Sequence, residues 1–293
     1  MNYQVTHTTK YIYKDAVALC HNEAKLFPKN FKSQVCTECE IIIDPQPEIY
    51  NEKVDFFGND IIYFSLQHPH DKMTVTAISQ VETFPESYLQ LNLSSNLNWE
   101  AARDYVNYDL NAPIDVRQYR LNSYFVPALA EARKFAETSF WPGRSAFEAT
   151  FEIMQRIYSN FKFVPGFTTI STPLLEVFKQ KKGVCQDFAH VAIACLRSMG
   201  LATRYVSGYI ETLPPPGKKK LIGSDASHAW FSVYIPDSGW VDFDPTNNMI
   251  PGEKHITVAW GRDFYDVTPL KGVIFSSGKH ELKVSVDVLS LDI

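Results

Sequence analysis

Three residues have types and settings that could break an amide bond: Cys185, His228 and Asp244. Cys185 opens a helical stretch that begins after Lys181-Lys182-Gly183-Val184. Free backbone N–H groups and the positive end of the helix dipole favour a thiolate there, and the thiolate is the nucleophile. His228 follows 43 residues later in Ser227-His228-Ala229-Trp230, where a loop enters a strand. Held there, an imidazole could take the thiol proton and return it to a leaving amine. Asp244 lies 16 residues further on, at the end of Trp240-Val241-Asp242-Phe243, and could accept the imidazole N–H and fix its tautomer. Each has a plainer reading: a buried thiol, a surface histidine, an Asp-Pro turn. Asp242 shares a strand face with Asp244 and is the fallback third member. Cys195 falls inside the apolar stripe of the same helix and is assigned to packing.

The elements that must position these residues are legible as patterns. Phe188, Val191, Ala192, Cys195, Leu196 and Met199 form one stripe of a helix over 185–199, and Gly200 is placed to stop it. Ser145 with Glu148 fits a capping box, followed by a helix whose face reads Phe147, Phe151, Met154, Tyr158 and Phe161. Runs 99–106 and 127–135 also look helical. Strands are expected over 203–210, 229–235 and 240–243, and over a final alternating run, 282–288. Residues 1–86 read as antiparallel strands: the alternation from Tyr3 to Tyr13, Glu40 to Ile43, Asp60 to Phe64 after a Gly58-Asn59 turn, and Met73 to Glu82.

The chain of 293 residues is 45% hydrophobic and 21% charged, enough for one large or two ordinary domains with a real core. A net charge of −5 argues against nucleic-acid binding. Lys218-Lys219-Lys220 reads as a solvated loop tip. No signal peptide or membrane span is expected. The five cysteines are an odd, irregular set, which favours a reducing cytoplasm over a disulfide framework. Cys36-x-x-Cys39 lacks a second ligand pair and leads into a strand, so it reads as two unpaired thiols. With no phosphate loop, dinucleotide fingerprint, zinc motif or EF-hand loop, neither cofactor nor metal is expected.

Gly183-Val184-Cys185-Gln186-Asp187-Phe188-Ala189-His190 resembles the cysteine motif of the transglutaminase-like superfamily. Ser227-His228-Ala229-Trp230 and Trp240-Val241-Asp242-Phe243-Asp244-Pro245-Thr246 resemble its histidine and aspartate motifs. The segments 54–59 and 255–264 are similar to motifs of bacterial members that carry a β-rich region before the core. The resemblance implies an α+β fold: a papain-like, transglutaminase-like core, with the cysteine helix on an antiparallel sheet, preceded by an antiparallel β domain. The expected division is a β domain at 1–86, a helical connection at 87–144 and the core at 145–293.

The resemblance also implies a Cys185–His228–Asp244 triad and a protein or peptide substrate. A hydrolase of the cysteine protease or amidase type is expected; a transglutaminase-type acyltransferase and a non-catalytic scaffold are the alternatives. Within the cysteine motif, Asp187 suits the dipole end of the helix. His190 lies roughly 140° round from Cys185 at about 100° per residue and reads as a structural hydrogen-bonding residue. Arg262 and Asp263 read first as structural, paired with each other; lining the cleft is the alternative. Calcium, used by some animal transglutaminases, has no visible site. The Pro-Gly-Lys segment at 213–223, just before His228, could gate the cleft.

Overall fold

A computed structural model describes residues 1–85, 97–212, 227–236, 238–275 and 278–291. Six strands come first: β1 (Asn2–Val17), β2 (Cys20–Ala24), β3 (Gln34–Asp44), β4 (Ile49–Val54), β5 (Asp60–Leu66) and β6 (His70–Thr83). Their alternating sequences bury one face. In β1, Tyr3, Val5, His7 and Thr9 point inward while their neighbours are partly exposed. The Gly58-Asn59 turn closes the β4–β5 hairpin, with Gly58 at φ +78°. These strands form two antiparallel sheets. Tyr13, Val17, Cys20, Ile62, Phe64, Met73 and Val75 fill the space between them.

The helical part follows: α1 (Trp99–Tyr108), α2 (Ile114–Arg117), α3 (Ala130–Glu137), α4 (Ala146–Asn160), β7 (Lys162–Phe163), α5 (Leu174–Gln180), β8 (Lys182–Gly183) and α6 (Cys185–Ser198). Ser145 caps α4 by accepting from the Glu148 N–H at 3.5 Å. Helix α4 buries Ala146, Ala149, Thr150, Ile153, Met154 and Ile157; of the stripe the spacing suggests, Met154 and Phe161 are buried, Phe147 and Phe151 are half-buried against the core, and Tyr158 is exposed. Helix α4 packs against α6; Phe147 packs on Phe243, Phe151 stacks on Phe147, Tyr158 faces solvent, and Phe161 packs where the helix ends. Helix α6 is buried from Asp187 to Arg197, wider than the single stripe read from sequence. It ends in a Schellman motif: Gly200, at φ +84°, donates to the Arg197 carbonyl, and Leu201 N–H to that of Leu196.

Strands β9 (Thr203–Ile210), β10 (Ser227–Ile235), β11 (Gly239–Phe243) and β12 (His255–Gly261) form an antiparallel sheet in the order β11-β10-β9-β12. One face packs on α6 through Tyr205, Phe231 and Val233. The architecture is thus α+β, with antiparallel sheets and an all-β N-terminal region, as expected.

After α7 (Phe264–Val267), strands β13 (Leu270–Ile274) and β14 (His280–Ser290) leave the core and return to the N-terminal sheets. β14 pairs with β1 from Tyr3↔Ser290 to Tyr13↔His280, and β13 pairs with β2. The segment 145–293, grouped by sequence as the core, therefore divides in space. Its last two strands complete the orders β14-β1-β6-β3 and β13-β2-β5-β4. The predicted loop at 213–223 lies outside the described residues.

The two parts meet along β12, the outer strand of its sheet. The Gln34 side-chain amide donates to the Thr257 carbonyl at 2.8 Å and accepts its N–H at 2.7 Å. Asn59 does the same for Trp260, at 2.8 and 3.0 Å. Two amides thus stand in for strand neighbours and satisfy an edge that would otherwise be open. Asp55 holds Asn59 in place by accepting from its N–H and its side-chain amide. The motif at 54–59 and the motif at 255–264 therefore touch each other.

Candidate active site

Cys185 is the first residue of α6 and is half-buried. The turn before it depends on Gly183. A Cβ there would stand 2.6 Å from Asp187 Oδ2. That carboxylate caps the helix by accepting the Val184 N–H at 2.8 Å, and it also accepts the Thr168 hydroxyl at 2.6 Å. Burial pushes the Asp187 carboxyl up, and these two hydrogen bonds hold it down in part. Gly, a capping Asp and Cys thus form one unit that fixes the helix start.

His228 stands at the beginning of β10, opposite Gly208 on β9. Its Nε2 lies 2.7 Å from Asp244 Oδ2, and the Cys185 thiol is near enough to the ring to favour its charged form. With Nε2 given to Asp244, Nδ1 is the ring nitrogen left for the sulfur. Burial disfavours charge on the ring, but the interactions with Asp244 and Cys185 outweigh it and push His228 up to about 10.

Asp244 is fully buried just past the end of β11. Its Oδ1 accepts the N–H groups of Thr246 (2.9 Å) and Asn247 (3.2 Å). Its Oδ2 accepts the Asn247 side-chain amide at 2.7 Å and lies 3.1 Å from His255 Nε2, besides His228. Burial alone would raise this carboxyl; the donors His228, His255 and Asn247 hold it well below the usual carboxylate range. The three residues singled out in sequence are therefore brought together. Asn247 and His255 join them without having been assigned a role there. The sequence signal for His255 was its place at the head of the 255–264 motif.

Asp242 lies on the same strand as Asp244, but its Oδ2 accepts the Trp230 indole N–H at 2.8 Å and it serves that ring. His190 is buried, stacks on Phe125, and accepts the Phe264 N–H at 3.2 Å; burial lowers it to about 3. Arg262 pairs with Asp266, at 2.8 and 3.0 Å, rather than with Asp263. Asp263 caps α7 and accepts the Phe125 N–H at 2.7 Å. Cys36 and Cys39 lie within β3 as free thiols, the second accepting the Ser79 hydroxyl at 3.1 Å. Cys195 is buried in α6, which pushes its thiol well up.

One group of potential metal donors stands out among the described residues: His228, Asp244 and His255, with ligand atoms within 4.8 Å of one another. Those atoms are already engaged in the hydrogen bonds given above. A cavity of about 390 Å³, walled by Phe57, Tyr119, Trp240 and Trp260 with Arg204 against both indoles, lies on the sheet face away from α6. Cys185, His228 and Asp244 are not among its lining residues. No helix among the described residues is long and apolar enough to cross a membrane.

Residues 3–82 match the family described as the bacterial transglutaminase-like N-terminal region, and residues 133–245 match the transglutaminase-like superfamily. An uncharacterized protein of Mycobacterium tuberculosis is 39% identical over 297 residues, covering 99% of this chain and 93% of its own. Another, of Mycobacterium leprae, is 32% identical and covers 98% of each chain. A protein-glutamine gamma-glutamyltransferase of Pseudomonas aeruginosa is 33% identical over 76 residues, 26% of this chain and 11% of its own. Among solved structures, a candidate cysteine protease from Cytophaga hutchinsonii aligns over 100% of this chain and 91% of its own, with a TM-score of 0.76 and 20% identity, a likeness of fold.

Proposed function

The chain belongs to the transglutaminase-like superfamily, and on that premise we propose that it is a thiol-dependent amide-bond enzyme with Cys185 as nucleophile. The observation that carries this reading is His228 Nε2 held 2.7 Å from the buried Asp244 Oδ2, with the Cys185 thiol as a further polar neighbour of the ring. His228, raised to about 10, already holds the proton given up by the thiol when the sulfur adds to the carbonyl carbon of a peptide or side-chain amide. The Cys185 N–H, at the first position of α6, would donate to the resulting oxyanion. The C–N bond then breaks, the amine leaves with the proton from His228, and a thioester remains on Cys185. Asp244 keeps the ring in the tautomer and orientation this needs.

Hydrolysis of the thioester, giving a protease or amidase, is the first reading, since water is an acceptor that needs no second binding site. Transfer to an amine is the second, favoured by the similarity to the Pseudomonas aeruginosa glutamyltransferase. A cysteine-directed electrophilic peptide probe tests the nucleophile. It should label the wild type at Cys185 and leave Cys185→Ala unlabelled; equal labelling of both contradicts the reading. A screen of peptides and glutamine amides, scored separately for ammonia release and amine incorporation, decides between water and amine.

A further inference from the structure

His255 and His228 stand on opposite sides of β9, at positions level with Ile210 and Gly208. Gly208 has no side chain to separate the strands. A Cβ there would meet the Ile256 carbonyl at 2.0 Å and the Trp230 ring at 2.7 Å. The Ile256 carbonyl and the Trp230 ring close over the glycine, and the two imidazoles, their centres 6.0 Å apart, converge on one oxygen, Asp244 Oδ2. The far side of the His255 ring meets the Gly252 N–H, which points at Nδ1 from 3.5 Å. A backbone N–H can only donate, so Nδ1 accepts, and the ring hydrogen lies on Nε2 facing the carboxylate. The Trp230 indole packs edge-on against the His255 ring at 5.2 Å and closes its remaining face.

We propose that His255 is a positioning residue: it donates an N–H to Asp244 Oδ2 and thereby fixes the direction from which His228 meets that oxygen. Asp244 Oδ2 receives three donors, one more than its two in-plane lone pairs, so the place of each limits the approach of the others. The Asn247 amide and the His255 N–H constrain Oδ2 from their sides and leave His228 the approach that turns its other nitrogen to Cys185. Position 255 is itself held from the β sandwich, because Gln34 grips β12 at Thr257, two residues along on the same face. The N-terminal sheets thus take part in setting the geometry around Cys185. The inference rests on the thiol-enzyme reading above.

The test is the rate at which iodoacetamide alkylates Cys185 in the full chain at neutral pH, with thermal unfolding as a control. His255→Gln keeps an N–H near the position of Nε2; His255→Phe keeps an aromatic ring against Trp230 but no donor. A positioning hydrogen bond predicts a rate close to wild type for Gln and a loss of about tenfold for Phe, the worth of one hydrogen bond to a charged group. A packing role predicts the reverse order, and that order, or equal rates for Phe and wild type, overturns the proposal. Nitrogen-15 NMR of the wild-type histidines gives an answer independent of either variant. The hydrogen should be on Nε2 of His255, and an Nδ1–H tautomer overturns the proposal. The underlying reading fails separately, if wild-type Cys185 reacts no faster than in His228→Ala.

Discussion

Asp244 accepts five hydrogen bonds, two from backbone and three from side chains, so exchanging one of its oxygens for an NH₂ sets donor against donor. Asp244→Asn should therefore lose most of the Cys185 reactivity, whereas Asp242→Asn, which can still accept the Trp230 indole, should keep it. The two also differ in how stability follows pH. His228 is raised to about 10, so its contribution is full below its ordinary value of about 6.5 and is lost as pH rises toward 10. Asp244 is depressed, so its contribution is full above about 4 and is lost as pH falls below that. Urea unfolding should show the widest gap between wild type and Asp244→Asn from about pH 4 to 6.5. The gap should then close with rising pH by at most about 1.4 kcal/mol per unit. A gap that widens toward pH 10 contradicts the pairing. At this scale Cys185, His228 and Asp244 could be singled out, by residue type and position at a helix or strand end taken together with the resemblance of their three motifs. Asn247 and His255 could not be. One depends on how a turn folds back on its own aspartate, the other on two strands meeting across Gly208.

Glycines without side chains set the elements in place. Gly183→Ala would drive a methyl group into the carboxylate that caps α6. The expected cost is about 1–3 kcal/mol in urea unfolding, with slower Cys185 alkylation because the helix start moves. Unchanged stability and alkylation contradict the account of that turn. The α6 stop at Gly200 was legible because a helix end that needs positive φ selects glycine. The buried face of α4 was legible only in part. The spacing pointed to Met154 and Phe161, which are buried, and to Phe147 and Phe151, which are half-buried, but also to the exposed Tyr158, and it missed Ala146, Ala149, Thr150, Ile153 and Ile157. Burial there is decided by a neighbour, which periodicity alone does not contain.

The whole molecule is held together by contacts that join distant parts of the chain. Asn59 and Trp260 are 201 residues apart and exchange two hydrogen bonds. Asn59→Leu leaves the Trp260 backbone groups without those partners and should cost about 2–4 kcal/mol by urea unfolding; a loss under about 0.5 kcal/mol contradicts the edge-sealing role. Fold class and the β-rich beginning were legible from alternation and from the two groups of motifs. The return of β13 and β14 to the first sheets was not, because an alternating strand carries no mark of which edge it will join.

The proposed chemistry turns on a thioester formed at Cys185. Intact-mass analysis after rapid acid quench, with a peptide or glutamine-amide substrate, measures it most directly. The account predicts an added mass equal to the acyl part of the substrate, located on Cys185, removed by hydroxylamine and absent in Cys185→Ala. Turnover of the same substrate by Cys185→Ala at the wild-type rate contradicts it.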